Sequence, residues 1–330
     1  MKNVAIAGAT GAVGGEFLKL MEARDFPIKN LKLLASERSV GKKLEYCGEQ
    51  ITVEELTPKS FKGVDLAFFS AGKGRSKEFV HHAVDSGTVV IDNSSAFRMD
   101  PDVPLVVPEI NPHMAFKHNG IIANPNCSTI QMVVALKPLH DLFVINRIDV
   151  TTFQAVSGTG KLAQDELTNQ IKDQMSGATP SSQIYSKQIA FNVLPHCQDF
   201  ESNGFTREEM KIVWETHRIL DPNIEIAATC VRVPVLNGHS ESVHIETRES
   251  LNVDAVKECL SEAKGVKLIR GEGSESYTTA LEVDGTDLVH VGRVRIDLWN
   301  KNRVNLWIVA DNLRKGAALN SIQIAEIHFS

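Results

Sequence analysis

The sequence predicts an α/β protein in two parts, a doubly wound parallel sheet followed by an α+β domain with a mostly antiparallel sheet. Strand-like and helix-like segments alternate in the first part of the chain, whereas longer strands with an alternating apolar pattern dominate the rest. The chain has 330 residues, 42% hydrophobic and 23% charged, which is ordinary globular composition and enough length for two domains. We expect domains over 1–126 and 127–312, with a final helix over 313–330 that packs back on the first domain.

The N-terminal part opens with a βαβ unit. A strand over 4–7 leads through the glycine turn GATGAVG into a helix over 13–24, and a second strand covers 31–35. The alternation continues with a buried strand, a helix and another strand over 64–69, 75–86 and 89–92. Buried strands joined by helices pair in parallel, and such sheets bind ligands at the carboxyl ends of their strands. We therefore expect a Rossmann-like domain with its ligand at that edge.

The second part begins with a helix that starts at Cys127 and that Pro138 is expected to close. Its strands show partial two-residue alternation and cover 147–154, 224–235, 240–247, 292–299 and 303–310. The residues NKN at 300–302 are typical of a hairpin turn between the last two strands. Polar stretches at 176–183 and 271–279 predict loops.

Charge and cysteine usage exclude several classes of protein. The formal charge of −6 and the isoelectric point near 6.0 leave no basic footprint, so we expect no nucleic-acid partner. The five cysteines are widely spaced, with no CxxC pair and no cysteine–histidine cluster, which predicts a reduced, cytoplasmic chain without a metal site. The sequence contains neither a signal peptide nor an apolar run of membrane-spanning length, so we expect no membrane segment.

The segment NPNCSTI at 124–130 precedes an apolar helical run, and it places Cys127 in the first turn of a helix with Asn126 as the cap. Unpaired backbone N–H groups and the helix dipole favour an anion at such a position. Thiols there have pKa values about one to several units below the usual value of about 8.5. A small buried cysteine that fills space is the alternative, and the Asn-Pro-Asn context favours a reactive thiol.

The glycine turn has glycines at 8, 11 and 14 between a strand and a helix. Backbone N–H groups at such a turn bind a pyrophosphate, and glycines allow its close approach. The spacing differs from GxGxxG, so an ordinary tight turn is the alternative. The second strand ends in Ser36, Arg38 and Ser39, which suit a ribose 2′-phosphate, whereas Glu37 would suit a free 2′-hydroxyl. The sequence favours NADP over NAD.

Two polar side chains follow predicted strands. Arg98, in SSAFRMD, lies just beyond a strand of the first domain, where it would meet an anion or remain a solvated surface arginine. Gln154 ends a strand before a glycine-rich bend at 157–160, where it would orient a substrate or simply hydrogen-bond within the strand.

Four further residues suit ion binding or proton transfer. Glu208 and Lys211, in REEMK, are neighbours on one helix face, and an exposed ion pair is the alternative. Arg232 lies on one face of a strand, with His239 in the loop beyond it. A guanidinium suits a planar carboxylate and an imidazole suits a proton. Pairing of Arg232 with a carboxylate of the domain and a purely structural His239 are the alternatives.

Taken in order, these segments closely resemble the aspartate-β-semialdehyde dehydrogenase family over nearly the whole chain. The matching motifs are GATGAVG at 8–14, SSAFRM at 94–99, NPNCSTI at 124–130, QAVSGTG at 154–160, REEMK at 207–211, RVPVLNGHSE at 232–241 and DNLRKGAALN at 311–320. Thr159, where alanine is usual, and LPHCQDF at 194–200 depart from the family pattern without changing a chemical group of the expected site. The resemblance implies a glyceraldehyde-phosphate-dehydrogenase-like second domain and a homodimer. It also implies NADP-dependent interconversion of L-4-aspartyl phosphate with L-aspartate 4-semialdehyde and phosphate, in lysine, threonine and methionine synthesis.

The resemblance assigns a role to each candidate residue. It makes Cys127 the nucleophile, His239 the acid/base and Gln154 the residue that orients the thiol-bound carbon. Substrate and phosphate would be held by Arg232 at the α-carboxylate, Glu208 at the ammonium group, and Arg98 and Lys211 at the phosphate. Expected cofactor contacts are Gly8, Thr10, Gly11, Ala12, Val13, Ser36, Arg38, Ser39, Ser157, Gly158 and Asn312. The chemistry is consistent, because a thiolate attacks well and leaves a thioester that phosphate can cleave.

Three rival functions fit parts of the sequence. N-acetylglutamyl-phosphate reductase performs matching chemistry on a related fold, but its nucleophile usually stands in a PGC context, whereas this chain has PNC at 125–127. A cysteine hydrolase would need only Cys127 and His239, which leaves the glycine turn and the basic residues without a role. A non-catalytic dinucleotide-binding regulator would not need a capped thiol.

Overall fold

The computed structural model describes residues 1–329, which divide into two compact units. The first unit comprises Met1–Asn126 together with the chain from Ala317 onward, and the second comprises Cys127–Gly316. The second unit therefore continues past 312, the boundary expected from the sequence. A Cβ atom placed on Gly316 would lie 2.8 Å from the Cβ of Cys127, so this glycine packs against the start of the second unit.

One sheet organises the first unit. Its strands are β1 (Lys2–Ala7), β2 (Ile28–Ala35), β3 (Lys43–Tyr46), β4 (Glu49–Glu55), β5 (Leu66–Phe69), β6 (Val89–Asp92) and β7 (Ile121–Ala123). Its helices are α1 (Ala12–Ala23), α2 (Lys73–Asp85) and, near the C-terminus, α8 (Leu319–Phe329). The strand order is β3-β4-β2-β1-β5-β6-β7, and each neighbouring pair is parallel except β3 with β4. Strands lie on both sides of β1, so the predicted doubly wound sheet is confirmed and its switch point lies beside β1.

The hairpin of β3 and β4 is not predicted from the sequence. It lies at the edge of the sheet, and most of its residues are exposed or half-buried, with Val53 as its fully buried residue. An edge hairpin buries little apolar surface, so its sequence carries only a weak alternating pattern.

The core of the first unit joins the sheet to α1 and α8. The rings of Phe17 on α1 and Phe68 on β5 stack with their centroids 4.5 Å apart. Leu33 on β2 and Ile322 on α8 are fully buried in the same cluster, and each such side chain contributes about 1.5–3 kcal/mol of burial free energy. The C-terminal helix is preceded by a π-helical turn over Arg314–Ala318, so its α-helical part begins at Leu319 and not at 313.

The second unit contains a six-stranded sheet covered by helices. Its strands are β8 (Ile145–Gln154), β9 (Glu225–Arg232), β10 (His239–Thr247), β11 (Val266–Leu268), β12 (Val289–Ile296) and β13 (Arg303–Ala310). Its helices are α3 (Cys127–Phe143), α4 (Lys161–Met175), α5 (Arg207–Ile219), α6 (Val253–Glu262) and α7 (Ala280–Val283). The strand order is β11-β12-β13-β10-β8-β9, in which β11/β12 and β8/β9 are parallel and the other neighbours antiparallel. The predicted mostly antiparallel sheet is confirmed.

The helix that begins at Cys127 is longer than expected. α3 runs through Pro138 to Phe143, so the prediction that this proline closes the helix is wrong. A proline inside a helix removes one hydrogen bond and costs about 3 kcal/mol. Leu139 and Phe143 are 0% and 7% exposed, and burial of two such side chains at about 1.5–3 kcal/mol each offsets that cost.

Two strands also end earlier than predicted. β9 ends at Arg232, and β12 ends at Ile296, so the loop to β13 covers 297–302 and not NKN alone. Leu298 and Trp299 in this loop are 86% and 88% exposed. Apolar residues in a loop imitate the composition of a strand, and the sequence pattern therefore overestimates the length of β12.

The membrane question has a direct structural answer. Within residues 1–329, each helix lacks either the length or the apolar character that crossing a bilayer requires.

Two adjacent glycines of α1 provide a matched test of the turn after β1. A Cβ on Gly14 would lie 2.3 Å from the Gly8 carbonyl oxygen and 2.5 Å from that of Ala9, whereas a Cβ on Gly15 would have no neighbour within 4 Å. Gly14→Ala should lower the free energy of unfolding by about 1–3 kcal/mol, because backbone must move. Gly15→Ala should raise it by about 0.5–1 kcal/mol through helix propensity. Urea unfolding measures both, and equal stability of the two variants would contradict the close packing.

Candidate active site

The glycine turn of the first unit leaves the N-terminus of α1 open. Gly8 has a φ of +91°, and its carbonyl oxygen accepts the Gly11 N–H at 3.0 Å. A Cβ on Gly8 would lie 2.4 Å from the Ser70 carbonyl oxygen, so glycine is required there. α1 then begins at Ala12, with neither a side-chain cap nor an acidic residue in its first turn. Thr10 to Val13 thus surround a helix N-terminus that fits a pyrophosphate.

The end of β2 lies beside this turn. Ser36 is half-buried, Glu37 and Arg38 are exposed, and Ser39 is buried in a short 3-10 turn. The Thr10 hydroxyl donates to the Ser39 hydroxyl at 3.4 Å, which joins the glycine turn to this strand end. The cation and hydroxyls expected near a 2′-phosphate are therefore together at the carboxyl edge of the sheet.

Arg98 follows β6 at the same edge, and it is only 7% exposed, unlike a solvated surface arginine. Its Nη2 donates to the Asn93 carbonyl oxygen at 2.7 Å. Asp92 stabilises the turn between them by accepting the Ser94 N–H at 3.0 Å and the Ser94 hydroxyl at 2.7 Å. Burial raises the pKa of Asp92, and the Ser94 hydrogen bonds oppose that shift.

In the second unit, strand register brings three candidate residues into one row. Arg232 on β9 is paired with Gln154 on β8. Ser240 on β10 is opposite Phe153, so the next position places His239 across from Gln154. Side chains directly opposite one another share a face of the sheet. We call Arg232, Gln154 and His239 the catalytic row.

Cys127 is the first residue of α3 and is half-buried. Gln154 Nε2 donates to the hydroxyl of the next residue, Ser128, at 2.8 Å, which joins the start of the helix to the catalytic row. Burial lowers the pKa of Arg232, but neighbouring groups that include Cys127 outweigh this effect and raise it. By contrast, burial raises the pKa of the Cys197 thiol to about 12 and also raises that of Cys230.

His239 is the first residue of β10 and is completely buried, so its expected position in a loop is wrong. The longer strand is held by pairing of His239 with Ala310 on β13. The Ala155 N–H donates to His239 Nδ1 at 3.1 Å, so the neutral imidazole carries its proton on Nε2. Burial, followed by the charge of Arg232, lowers the pKa of His239 to about 3. Within residues 1–329 its Nε2 has no hydrogen-bond partner, which leaves this donor for a ligand.

Glu208 and Lys211 lie on α5, whose start is fixed by a reciprocal capping box between Thr206 and Glu209. Lys211 Nζ lies 3.0 Å from Glu208 Oε2, and both residues are buried, so the alternative of an exposed ion pair is wrong. Glu208 Oε1 also accepts a hydrogen bond from Gln154 Nε2 at 3.3 Å. This carboxylate therefore links the lysine to the catalytic row.

The bend after β8 lies against the catalytic row. A Cβ on Gly158 would lie 3.1 Å from His239 Nε2 and 3.2 Å from Arg232 Nη1. Asn312 Nδ2 donates to the Ser157 hydroxyl at 2.9 Å, and Asn312 Oδ1 accepts the Gly238 N–H at 2.9 Å. Ser157, Gly158 and Asn312 are thus neighbours of the imidazole.

The structure brings Cys127, Gln154, Glu208, Lys211, Arg232 and His239 together within the second unit, and it places Arg98 and the glycine turn in the first. Sequence reasoning misses three residues of this site. The Ala155 backbone holds both His239 and Arg232, since its carbonyl oxygen accepts from Arg232 Nη1 at 2.6 Å. Gln198 Oε1 accepts from Lys211 at 2.8 Å, and Gly316 packs on Cys127. Each had a signal in the sequence, because Ala155 and Gly316 lie in the matching motifs QAVSGTG and DNLRKGAALN and Gln198 lies in the stretch that departs from the family pattern.

Metal ligands are not assembled in the part of the chain that the structure describes. Within residues 1–329 no three histidine, cysteine or acidic side chains converge in an arrangement that could hold a metal ion.

Comparison with known proteins places these observations in a family. The semialdehyde dehydrogenase NAD binding domain matches residues 3–118, and the semialdehyde dehydrogenase dimerisation domain matches residues 136–315. Aspartate-semialdehyde dehydrogenase of Legionella pneumophila is 53% identical over 329 residues, which are 98% of this chain and 95% of that protein.

Solved structures agree over the same length. Aspartate semialdehyde dehydrogenase II from Vibrio cholerae, complexed with ASA, superposes with a TM-score of 0.96 at 48% identity, covering 99% of this chain and 98% of that one. The aspartate semialdehyde dehydrogenase of Candida albicans with NADP gives a TM-score of 0.75 at 27% identity, covering 99% of this chain and 98% of that one.

The buried neutral imidazole of His239 makes the free energy of unfolding depend on pH in the acidic range. The folded chain keeps His239 uncharged down to about pH 3, whereas the ordinary pKa of histidine is 6.5. Its stabilising contribution is therefore complete above pH 6.5 and is lost as the pH falls toward 3, by at most about 1.36 kcal/mol per pH unit. In His239→Asn, the amide oxygen can still accept the Ala155 N–H. This variant should lose less free energy of unfolding than the wild type between pH 6.5 and about 4.

Urea unfolding at several pH values measures this difference. His82→Asn, which removes an exposed imidazole on α2, is the matched control. If His239→Asn and the wild type had parallel stability curves, His239 would not be the group that resists protonation.

Proposed function

This chain belongs to the aspartate-semialdehyde dehydrogenase family, and we propose that it converts L-4-aspartyl phosphate to L-aspartate 4-semialdehyde with NADPH through a thioester on Cys127. The observation that carries the proposal is the placement of a half-buried thiol at a helix N-terminus beside the catalytic row. The reaction supplies an aldehyde for lysine, threonine and methionine synthesis.

Cys127 performs the covalent step. Its thiolate attacks the acyl carbon of the substrate, a carbon–sulfur bond forms, the carbon–oxygen bond to phosphate breaks, and phosphate leaves. The first turn of α3 favours the thiolate because the dipole at the start of a helix stabilises an anion there. Gln154 is positioned next to this turn through its hydrogen bond to Ser128, so it can orient the acyl carbon on the thiol.

His239 acts on the substrate oxygen. Since Nδ1 accepts the Ala155 N–H, the Nε2–H is the group that faces a ligand. It donates to the carbonyl oxygen, which gains negative charge when the acyl carbon becomes tetrahedral. A donor that is fixed in a dry site stabilises such an oxyanion more than water does. The tautomer therefore supports His239 as the electrophilic partner of Cys127.

Charged groups in and beside the catalytic row would hold the substrate. Arg232 has one nitrogen committed to the Ala155 carbonyl oxygen, and the rest of its planar fork suits the α-carboxylate. Glu208 suits the ammonium group. Lys211 and Arg98 are the proposed phosphate ligands, and Lys211 is oriented by Gln198 and Glu208.

The residues around the glycine turn fit NADP. The glycines at 8 and 14 let the turn and α1 pack closely against neighbouring backbone, and Thr10 to Val13 provide the helix N-terminus that suits a pyrophosphate. Ser36, Arg38 and Ser39 would hold the 2′-phosphate, and Ser157, Gly158 and Asn312 of the second unit are further proposed cofactor contacts. When bound, NADPH supplies the hydride that reduces the Cys127 thioester to the aldehyde.

Two broader assignments follow from the family. The second unit matches a dimerisation domain, and we propose that the protein is a homodimer formed through this unit. A reduced cysteine set and a biosynthetic reaction suit a cytoplasmic enzyme.

The function is tested by following NADPH absorbance with aspartate semialdehyde, phosphate and NADP, beside the same assay with N-acetylglutamate semialdehyde. Activity should require phosphate and prefer the aspartate compound. Cys127→Ala should abolish it and retain cofactor binding, whereas Cys259→Ala, which removes a half-buried thiol on α6, should retain activity. Preferential turnover of the N-acetyl compound would favour the rival reductase, and hydrolysis without NADP would favour a cysteine hydrolase.

Replacement of Lys211 and replacement of Arg232 should impair different steps of the reaction. In Lys211→Met, acylation of Cys127 by aldehyde and NADP should survive while release by phosphate slows, so a burst of NADPH remains and the phosphate KM rises. In Arg232→Met the burst itself should shrink, since misplacement by about 1 Å can cost roughly a hundredfold in rate. Stopped-flow absorbance with and without phosphate separates the steps. If Lys211→Met lost its burst and Arg232→Met kept a full one, the proposed roles of Lys211 and Arg232 would have to be exchanged.

A further inference from the structure

Glu241 lies two residues after His239 on β10, and its side chain is completely buried. Its register partners are Thr152 on β8 and Ile308 on β13, and Thr152 is in turn opposite Cys230 on β9. Residues two apart on a strand share a face. Cys230, Thr152 and Glu241 therefore form a second row immediately behind the catalytic row.

Gln131 connects this second row to the reacting groups. It lies on α3 four residues after Cys127, about one helical turn away. Its Nε2 donates to the His239 carbonyl oxygen at 3.2 Å. Burial raises the pKa of the nearby Glu241 carboxyl, and the same Gln131 amide opposes that rise. One side chain thus links the helix that carries the thiol to the strand that carries the imidazole.

If Glu241 is ionised, neither its two oxygens nor Gln131 Oε1 carries a proton, and the Thr152 hydroxyl is the one O–H among these three side chains. Among residues 1–329, no partner lies in regular hydrogen-bonding geometry to either Glu241 oxygen, to Gln131 Oε1 or to Thr152 Oγ1. A carboxylate only accepts, whereas a carboxylic acid has one O–H to donate. An isolated buried charge is also far more costly than a buried neutral group. A neutral Glu241 supplies the donor that Gln131 Oε1 needs.

The charged surroundings do not favour ionisation. The buried titratable groups on this face of the sheet and on α3 and α5 include Cys127, Glu208, Glu209, Lys211, Glu215, Cys230, Arg232 and His239. The two cations among them already bond elsewhere, Lys211 to Glu208 and Arg232 to the Ala155 carbonyl oxygen. Burial raises the pKa of Glu241 well above its ordinary 4.5, although the neighbouring Gln131 amide acts in the opposite direction.

We propose that Glu241 is a positioning residue that stays an uncharged carboxylic acid and donates a hydrogen bond to Gln131 Oε1, which ties the start of α3 to β10. This hydrogen bond fixes Cys127 relative to His239. Its consequence for catalysis rests on the proposed function. The uncharged state also keeps a second negative charge away from the thiolate.

The protonation state is tested without any substrate. A protonated carboxyl has its own infrared carbonyl band, which shifts on deuteration. The wild type should show this band at neutral and mildly alkaline pH, and Glu241→Gln should lack it. Glu246 lies on the same strand as Glu241, and its partly exposed carboxylate is paired with Arg303 of β13. Glu246→Gln is therefore the matched control and should keep the band. If Glu241→Gln removed no carboxylic-acid band, the proposal would be overturned.

Thermal unfolding gives a second readout that is independent of activity. The unfolded chain releases the Glu241 proton above pH 4.5, whereas the folded chain retains it, so this group destabilises the folded state increasingly as the pH rises. The melting temperature of Glu241→Gln should therefore be higher than that of the wild type, and this difference should widen as the pH rises. A constant margin would mean that Glu241 ionises normally when folded.

Kinetics then test positioning. Glu241→Gln, which keeps a donor to Gln131, should retain most of kcat, and any alkaline fall in kcat caused by Glu241 should disappear. Glu241→Met, without a donor, should lose about ten- to a hundredfold in kcat with little change in KM, as expected for misplaced reacting groups. A Met variant with full kcat, or a Gln variant as poor as Met, would contradict the positioning role. Absence of dehydrogenase activity in the wild type would instead contradict the proposed function and leave the infrared and thermal results standing.

Discussion

The catalytic arrangement depends on the register between β8, β9 and β10. Pairing of Gln154 with Arg232, together with the antiparallel alignment that puts His239 across from Gln154, sets a hydrogen-bonding amide between a cation and an imidazole. A slip of one residue in any of these strands would turn its side chain to the opposite face. The sequence motifs that carry these residues are far apart in the chain, and only the sheet brings them together.

Backbone groups at Ala155 complete that arrangement. The N–H fixes the tautomer of His239, and the carbonyl oxygen fixes one nitrogen of Arg232. Because both contacts come from one peptide segment just after β8, the imidazole and the guanidinium are oriented by the same short turn. Gly158 then allows the following bend to lie directly on them, where a larger residue would require about a few tenths of an ångström of adjustment.

Burial has opposite effects on the acid and the base of the second unit, and both effects remove charge. It keeps His239 neutral by lowering its pKa, and it raises the pKa of Glu241. Desolvation disfavours the charged form of either type of group. Arg232 and the Glu208–Lys211 pair are charged groups of this region, and they are the groups proposed to meet a charged substrate and phosphate. The site thus holds charge where ligand charge is expected.

The sequence by itself determined the fold class, the position of Cys127 at the start of a helix and the identity of the family. Alternating strands and helices, the glycine turn and the capped cysteine are local patterns, and local patterns follow from neighbouring residues alone. It also indicated the candidate residues, although it left open whether Arg98 was solvated and whether Glu208 and Lys211 were an exposed pair. Those alternatives concern burial, which depends on residues distant in the chain.

Only the tertiary structure decided the remaining features. α3 continues through Pro138, because burial of Leu139 and Phe143 outweighs the cost of a proline inside the helix. The tertiary structure moved His239 from a loop into β10, since pairing with Ala310 extends the strand. The roles of Ala155, Gln131 and Glu241 were also invisible to sequence patterns, because backbone contacts and the protonation of a buried carboxyl arise from what surrounds a group in space and not from what precedes it in the chain.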